Sequence, residues 1–248
     1  AAAEGEQGHV VAHNEFRDVF AYVAAQPPKR FNSATGGTVT TVEDYNGTGQ
    51  TWRVHTFTSS GTFTVQTADQ PFRVLVVGGG GKGGGISGGG GGGGEVRDGN
   101  HQIAPGPHAV TVGGSGSGSS VANVATARAG GGGGSYGGHG GASYFGSTTY
   151  SGHAPSGSGQ VYGGGGAGNG GNAGGGRNGT DPGPGRSSDA SGTAVTYSAG
   201  GYGGWKDSGV STPNPPGIGN GGPGGRGGDG AGVGPGHSGI VIVAYQIG

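Results

Sequence analysis

The alternation of apolar and polar residues between residues 30 and 77 is typical of β-strands. Residues 38–42 (TVTTV), 51–58 (TWRVHTFT) and 62–66 (TFTVQ) alternate or are rich in β-branched side chains, which favours pleated strands over helices. Between them, Asn46-Gly47 and Ser60-Gly61 are typical turn pairs. A largely apolar run, FRVLVV, follows at residues 72–77. The pattern therefore predicts a small antiparallel sheet of about three to four strands.

A different period precedes this region, at residues 12–25 (AHNEFRDVFAYVAA). Apolar residues recur there at the spacing of one helical face, on Phe16, Val19, Phe20 and Val23. Asn14 is suited to cap such a helix, and the following Pro27-Pro28 pair would end it. The apolar stripe has two interpretations: it folds back on the sheet, or it docks on a partner or a second copy.

Glycine dominates the chain from residue 78 almost to its end, with 73 glycines in 248 residues. The longest stretch, residues 78–94, reads GGGGKGGGISGGGGGGG. Because glycine has no Cβ, such segments can adopt the extended polyproline II conformation and pack closely, exchanging backbone hydrogen bonds with their neighbours. We expect residues 78–94 to form a hairpin of two polyglycine helices that turns between Lys82 and Ser87. A second apolar run, IVIVAY, closes the glycine-rich region at residues 240–245.

The predicted fold class is mainly β and irregular, a glycine-rich sandwich with one helix. We expect four parts: an N-terminal docking helix (1–30), an antiparallel β base (31–77), a polyglycine II bundle with inserted strands and loops (78–239), and a closing strand of the base (240–248). Residues 95–97 and 108–112 are expected to return to the same basal sheet. Residues 119–129 and 187–197 are predicted to form short hairpins, whereas 142–162 is interpreted as a loop rich in side chains.

The amino-acid composition bears on which partners the chain is expected to have. The chain has 12 basic and 13 acidic residues, so its charge gives no reason to expect nucleic acid. It has no cysteine, so stability must come from packing or assembly rather than from disulfides. No apolar run approaches the ~20 residues that a membrane span needs, and we expect no membrane insertion.

Two motifs superficially indicate nucleotide binding, and neither fits. The run VLVVGGGGKGGG contains G-x-G-x-x-G after a strand, but the dinucleotide fingerprint needs a following helix, which the glycines of residues 88–94 would not form. A P-loop needs Ser or Thr after its lysine, and Gly83 follows Lys82. The eight histidines lack metal-site spacing, and no nucleophile–base pair is evident. We therefore expect no enzyme activity, no cofactor and no metal.

The order of motifs carries a resemblance. The chain reads TFTSSGTFTV, FRVLVVGGGGKGGG, GGGGGGGEV, HAVTVG, AGGGGGSYGGHGGASYFG and finally SGIVIVAY. This order resembles the glycine-rich domain of phage tail fibres and minor tail proteins, especially of phages that infect actinobacteria. It is also similar to the polyglycine-helix adhesins at the fibre tips of T-even phages. The resemblance covers residues 51–248; the N-terminal helix and strands depart from the T-even pattern, so the mode of attachment does not carry over.

In that adhesin class, loops between polyglycine helices contact the host, which implies a contact role for the aromatic residues between the glycine runs. Amphipathic rings suit such interfaces, although the same rings could simply cover the faces of the bundle. The receptor-binding candidates are Tyr144, Phe145, Tyr150, Tyr197, Tyr202, Trp205 and Lys206. The candidates for assembly or docking are the four apolar residues of the predicted N-terminal helix.

The resemblance implies a non-enzymatic virion protein at a phage tail tip or tail fibre, whose loops recognise a glycan or surface protein of the host cell envelope. Its expected partners are other tail proteins and further copies of itself, with a trimer as the working hypothesis. The main alternative is a purely structural tail spacer without receptor contact. An ice-binding bundle would need a more regular face, and the bracketing strands oppose a disordered matrix protein.

Overall fold

The computed structural model describes residues 30–136, 138–152, 154, 166–173, 181–204, 217–224 and 233–248. The chain divides into two units, Ala1–Arg30 and Phe31–Gly248, and the fold described here is that of the second. The helix predicted at residues 12–25 lies outside the described residues. Within them the protein is mainly β, with antiparallel sheets and no α-helix; a 3-10 turn lies at Tyr45–Gly47. The prediction of a mainly β fold is therefore confirmed.

One five-stranded antiparallel sheet contains both of the apolar runs. Its strands, in spatial order, are β2 (Thr38–Val42), β3 (Trp52–Phe57), β14 (Ile240–Gln246), β5 (Phe72–Val77) and β6 (Val96–His101). β14 lies between β3 and β5, with Val241 opposite both Phe57 and Val76. The last strand of the chain thus occupies the centre of this sheet, where its backbone is hydrogen-bonded on both sides.

A second five-stranded antiparallel sheet packs against the first. Its spatial order is β1 (Ser33–Thr35), β4 (Gly61–Thr67), β7 (Gly106–Thr111), β8 (Ser119–Val121) and β9 (Ala125–Ala127). Phe63 of this sheet and Phe72 and Tyr245 of the first are buried in one apolar core, with their rings in edge-to-face contact. The two sheets therefore form a β-sandwich.

The outer face of the first sheet is also covered. Leu75, Ile242 and Ala244 pack there with Tyr45 and with Tyr197, which lies on a short hairpin of β12 (Arg186–Ser188) and β13 (Val195–Tyr197). Because β5 and β14 are buried on both faces, their sequences are continuously apolar rather than alternating, apart from Arg73 and the terminal Gln246.

The glycine segments continue directly from the strands. Residues 78–84 follow β5 and residues 88–95 precede β6, and the two segments run antiparallel on either side of a turn at residues 85–87. The N–H groups of Gly78, Gly81 and Gly84 donate to the carbonyls of Glu95, Gly92 and Gly89 over 2.8–2.9 Å. The bonds recur at every third residue, unlike the two-residue period of a β-ladder. We call residues 78–95 the glycine hairpin.

The second arm of the glycine hairpin is surrounded by other chain segments. Besides the first arm, its backbone exchanges hydrogen bonds with residues 128–134, 139–142, 166–167, 199–204 and 217–222. Gly89, Gly92 and Glu95 all donate to residues 128–134, whereas Gly91 and Gly94 donate to residues 219–222. Residues three apart therefore face the same neighbour, and the residues between them face other neighbours.

This packing leaves no room for side chains. A Cβ on Gly91 would lie 2.0 Å from the carbonyl oxygen of Gly81, and one on Gly94 would lie 2.0 Å from that of Gly78. Between residues 78 and 84 the one side chain is that of Lys82, which is exposed. Glycine at the positions that face neighbouring segments is thus required by the close approach of the backbones.

Several strand predictions need correction. The sheet of three to four strands is instead a sandwich of two sheets with five strands each. Residues 95–97 return to the first sheet as expected, in β6, but residues 108–112 belong to the second sheet through β7. The hairpins β8–β9 and β12–β13 are confirmed. The loop predicted at residues 142–162 contains a further hairpin, β10 (Ser143–Phe145) and β11 (Thr148–Tyr150).

Candidate functional site

Two surfaces carry the exposed aromatic and polar side chains that could contact a ligand. The first is at the far end of the glycine hairpin, and we call it the bundle tip: the turns at residues 85–87 and 135–136. The N–H of Tyr136 donates to the carbonyl of Ile86 over 3.0 Å, and the N–H of Gly85 donates to Oγ of Ser135 over 3.1 Å. These bonds join the two turns into one surface.

Tyr136 is the most exposed large apolar side chain in the described part of the chain, at 72 %. Its φ of 54° lies in the left-handed region, as do those of Ile86 (30°) and Ser87 (49°). Such backbone is unfavourable for residues other than glycine, so the tip holds its side chains in a constrained conformation. Gly204 also reaches this end, where its N–H donates to the carbonyl of Gly88 over 2.7 Å.

The second surface surrounds the β10–β11 hairpin, which carries the predicted candidates Tyr144, Phe145 and Tyr150. All three side chains are half-buried. The guanidinium of Arg128 lies 4.5 Å from the Tyr144 ring centre, and that of Arg186 lies 3.7 Å from the Phe145 ring centre. These distances are those of cation–π contacts, which fix the rings against the neighbouring segments.

Glu95 anchors this hairpin to the base of the bundle. Its fully buried carboxylate accepts hydrogen bonds from the N–H of Gly146, the N–H and Nε of Arg128, and Nε of Arg97, over 2.9–3.2 Å. Burial raises the pKa of Glu95, but the bonds from Arg128 and Gly146 and the charge of Arg97 outweigh it, so that the pKa is lowered. Glu95 is therefore a buried carboxylate stabilised in its ionised form.

An open cleft of about 680 Å³ lies beside the same hairpin. Elements far apart in the sequence contribute its aromatic and charged lining residues: Tyr45, Trp52, Arg73, Asp98, Phe145, Arg186 and Asp189. Asn46, Asn100 and Ser187 add polar side chains that are exposed.

The aromatic wall of the cleft is a stacked pair, Tyr45 on Trp52, with ring centres 4.4 Å apart and planes at 12°. Tyr45 belongs to the 3-10 turn after β2 and is buried, whereas Trp52 begins β3 and is partly exposed. The Tyr45 hydroxyl donates to the carbonyl of Ala190 over 2.9 Å, and burial raises the pKa of Tyr45. This turn is thereby held against the residues that follow β12.

A charged network forms the floor. Arg73, the one charged residue of β5, donates from Nε and Nη2 to the two carboxylate oxygens of Asp98 over 3.2 and 2.9 Å. It also pairs with Asp189. The hydrogen bond to Asp98 is the main reason that the pKa of Arg73 is raised. The hydrogen bond from Arg73 lowers the pKa of Asp189. Arg73 and Asp189 are thus held ionised, which suits recognition of a ligand rather than proton transfer at neutral pH.

The other predicted contact residues are a core residue, a half-buried residue of a glycine segment, and residues outside the described ranges. Tyr197 is only 2 % exposed and packs against the outer face of the first sheet, so its assignment as a receptor contact is corrected: it is a core residue. Tyr202 is half-buried in a glycine segment. Outside the described residues lie Trp205 and Lys206 and the docking candidates Phe16, Val19, Phe20 and Val23.

Sequence reasoning missed the cleft and Tyr136. The sequence contained one signal of the cleft. Arg73 is a charged residue in an otherwise apolar strand that is buried on both faces, and a charge in such a strand needs oppositely charged partners. Trp52 was read only as part of an alternating strand, and nothing local connects it with Phe145 or Arg186. The exposure of Tyr136 depends on where its turn ends, which the glycine pattern does not show.

Within the described residues, no group of three or more His, Asp or Glu side chains could hold a metal ion. In that part of the chain there is also no helix with the length and hydropathy needed to cross a bilayer. Comparisons with protein-family models, with curated proteins and with solved structures found no match to this chain.

Proposed function

We propose that this chain is a phage tail-tip or tail-fibre protein that recognises the host cell surface through loops held on a polyglycine II bundle. The observation that carries the proposal is the glycine hairpin with its surrounding segments, in which backbones pack without side chains and end in side-chain-bearing turns. The resemblance of the motif order to phage tail glycine-rich domains supplies the biological setting.

The three-residue repeat of hydrogen bonds supports the polyglycine II assignment. A helix of this type has three residues per turn and no internal hydrogen bonds, so successive N–H groups point to different neighbours. In the second arm, Gly91, Gly92 and Gly93 donate to Gly222, Gly131 and Ala167, which belong to three separate segments. None of the glycines from Gly78 to Gly94 has a positive φ, consistent with a left-handed helix of the polyproline II type.

Such a bundle suits recognition at a distance from the base. At about 3.1 Å per residue, the seven residues 78–84 extend the bundle tip roughly 20 Å beyond the end of β5. The lateral backbone bonds order the segments before any ligand arrives, so binding at the tip does not have to order the scaffold. We assign the contact role first to the tip, where Tyr136 is exposed, and then to the aromatic side chains Tyr144, Phe145 and Tyr150.

Assembly of several copies, with a trimer as the working hypothesis, would turn weak contacts at each tip into avid attachment. The predicted N-terminal helix, with its apolar stripe, is the proposed docking segment toward other tail proteins. In this proposal the protein is a virion component without enzymatic activity, cofactor or metal.

Binding to cells tests the proposal. The purified protein, fluorescently labelled, would be sedimented with a panel of actinobacterial cells, and we expect it to bind a subset of strains. Tyr136→Ala, Tyr144→Ala and Tyr150→Ala should each weaken that binding. Val39→Thr serves as a matched control, because Val39 is 49 % exposed on the edge strand β2, away from the tip and the cleft.

Two results would contradict the adhesin. Failure to bind any strain would favour the structural spacer, and binding that all three variants retain would place recognition elsewhere. Light scattering on the same samples would test the trimer, since a monomeric protein at all concentrations would remove the avidity argument.

A further inference from the structure

We propose that the cleft between the Tyr45–Trp52 stack and the β10–β11 hairpin is a binding site for a neutral saccharide. This site is separate from the bundle tip, and the inference stands whether or not the tip binds a cell. It depends on the size, charge balance and side-chain chemistry of the cleft.

The size fits a small ligand. The volume of about 680 Å³ lies within the roughly 300–1,000 Å³ typical of small-molecule sites. The cleft is open to solvent, so a saccharide bound there could be part of a longer chain.

The charges of the lining favour a neutral ligand. Arg73 is compensated by Asp98 and Asp189, and Arg186 spreads its guanidinium over the Phe145 ring. Two cationic and two anionic side chains thus line the cleft. A strongly acidic or basic ligand would meet side chains of its own charge as well as of the opposite charge, and like charges disfavour binding.

The remaining groups match the two kinds of surface on a sugar. A pyranose ring has C–H faces, which pack on aromatic rings, and hydroxyl edges, which exchange hydrogen bonds with planar amides and carboxylates. Trp52 and Phe145 offer partly exposed rings. Asn100 and Ser187 are exposed in the cleft, and their side chains make no hydrogen bond within the described part of the chain.

The walls are ordered before binding. Trp52 is stacked on Tyr45, and its Nε1 donates to Oε1 of Gln50 over 3.1 Å. Asn46, next to Tyr45 in the same turn, donates from Nδ2 to the carbonyl of Asp189 over 3.2 Å. Bonds of this kind hold the cleft open and reduce the conformational entropy that a ligand must remove.

Tryptophan fluorescence gives a direct readout. The chain has two tryptophans, so a Trp205→Phe protein reports from Trp52 alone. This protein would first be applied to an array of neutral and acidic oligosaccharides, and neutral oligosaccharides that bind would then be titrated in solution. We expect a saturable change in Trp52 fluorescence with the neutral compounds.

Variants then locate the site. Phe145→Ala and Asn100→Ala, made in the Trp205→Phe protein, should each weaken the affinity by about tenfold, the effect expected for one lost ring contact or hydrogen bond in a binding site. Val39→Thr is the matched control, because Val39 is exposed on the edge strand β2 and lines neither the cleft nor the bundle tip, so this change should leave the affinity unchanged. Circular dichroism would verify that each variant is folded.

Three results would overturn the inference: no binding to any oligosaccharide, binding only to acidic ones, or binding that Phe145→Ala and Asn100→Ala leave intact. The effect of Tyr136→Ala on cell binding is independent of these results, because Tyr136 does not line the cleft. Binding of saccharides without binding of cells would refute the proposed function and support this site. Binding of cells without binding of saccharides would support the proposed function and refute this site.

Discussion

The backbone N–H of Gly146 donates a hydrogen bond of 3.0 Å to Oε1 of Glu95, across 51 residues of sequence. Glu95 closes the second arm of the glycine hairpin, whereas Gly146 forms the tight turn of the β10–β11 hairpin with a φ of 58°. One buried carboxylate therefore joins the side-chain-free bundle to the hairpin that carries Tyr144 and Phe145.

We predict that Glu95→Gln destabilises the protein by about 1–3 kcal/mol, because the amide replaces one acceptor oxygen by a donor and leaves a buried N–H unpaired. Urea unfolding at neutral pH measures the change. Glu43→Gln is the matched control, since Glu43 is exposed and makes no ion pair within the described part of the chain. Equal stability of both variants would show that the buried bonds contribute nothing.

The stabilisation by Glu95 should also depend on pH. Its pKa in the folded protein lies below the ordinary value of 4.5, so the unfolded chain takes up the proton first as the pH falls. The contribution is fully present above about pH 4.5 and is lost as the pH falls through the folded-state pKa. Urea unfolding across this range should show that the free energies of unfolding of wild type and Glu95→Gln approach each other as the pH falls. A difference that stays constant with pH would contradict a lowered pKa of Glu95.

The buried His55 should make stability depend on pH in a second range, at higher pH than that of Glu95. Its ring is fully buried between Phe63 and Tyr245 and contacts the carbonyl of Gly36 over 2.7 Å through Nδ1. Burial lowers the pKa of His55 from its ordinary value of 6.5. Because the unfolded state then binds the proton more readily, stability should fall as the pH drops below 6.5, until the folded-state pKa is reached.

A His55→Phe variant removes the imidazole that takes up a proton on unfolding. We expect it to lose about 1–3 kcal/mol above pH 6.5, since the Gly36 carbonyl loses its partner, and to show a weaker fall in stability below that pH. Thermal unfolding over the pH range provides the measurement, with His139→Phe as an exposed control. An undiminished pH dependence in His55→Phe would assign the effect to another group.

The packing of the glycine hairpin predicts that single methyl groups are not tolerated in its interior. Gly91→Ala places a Cβ 2.0 Å from the Gly81 carbonyl oxygen, so two segments must separate, at a cost of about 3 kcal/mol or more. Gly114→Ala is the control, because nothing lies within 4 Å of its Cβ position and its φ is not positive. Similar unfolding midpoints for the two variants would contradict a close-packed bundle.

Hydrogen exchange tests the lateral hydrogen bonds directly. The amides of Gly81, Gly89 and Gly92 are buried and hydrogen-bonded to other segments over 2.8 Å, so they should exchange orders of magnitude more slowly than in a free peptide. The exposed Gly114 offers an internal reference. Exchange of residues 78–94 at free-peptide rates would mean a flexible tether and would remove the basis for both the fold and the proposed function.

The sequence alone was sufficient for the longer strands of residues 38–77 and for the closing strand at residues 240–245. The runs at residues 72–77 and 240–245, and the alternation at 38–42, 51–58 and 62–66, encode local backbone preference and burial in their own residues. The tight pairs near residues 46 and 60 likewise mark turns by local chemistry. The predominance of glycine over residues 78–94 was enough to suggest close backbone packing, because a residue without Cβ permits it.

Tertiary structure decided everything that depends on which distant segments meet. Residues 108–112 read as a strand in either sheet, and only the closure of the sandwich assigns β7 beside β4. Tyr197 and Tyr144 have similar sequence surroundings. Tyr197 nevertheless lies in the core, whereas the Tyr144 ring contacts the guanidinium of Arg128. The cleft brings Trp52, Arg73, Phe145 and Arg186 together from segments separated by long stretches of chain. Local periodicity carries no information on such contacts, because their free energy is gained only when the loops between them have closed.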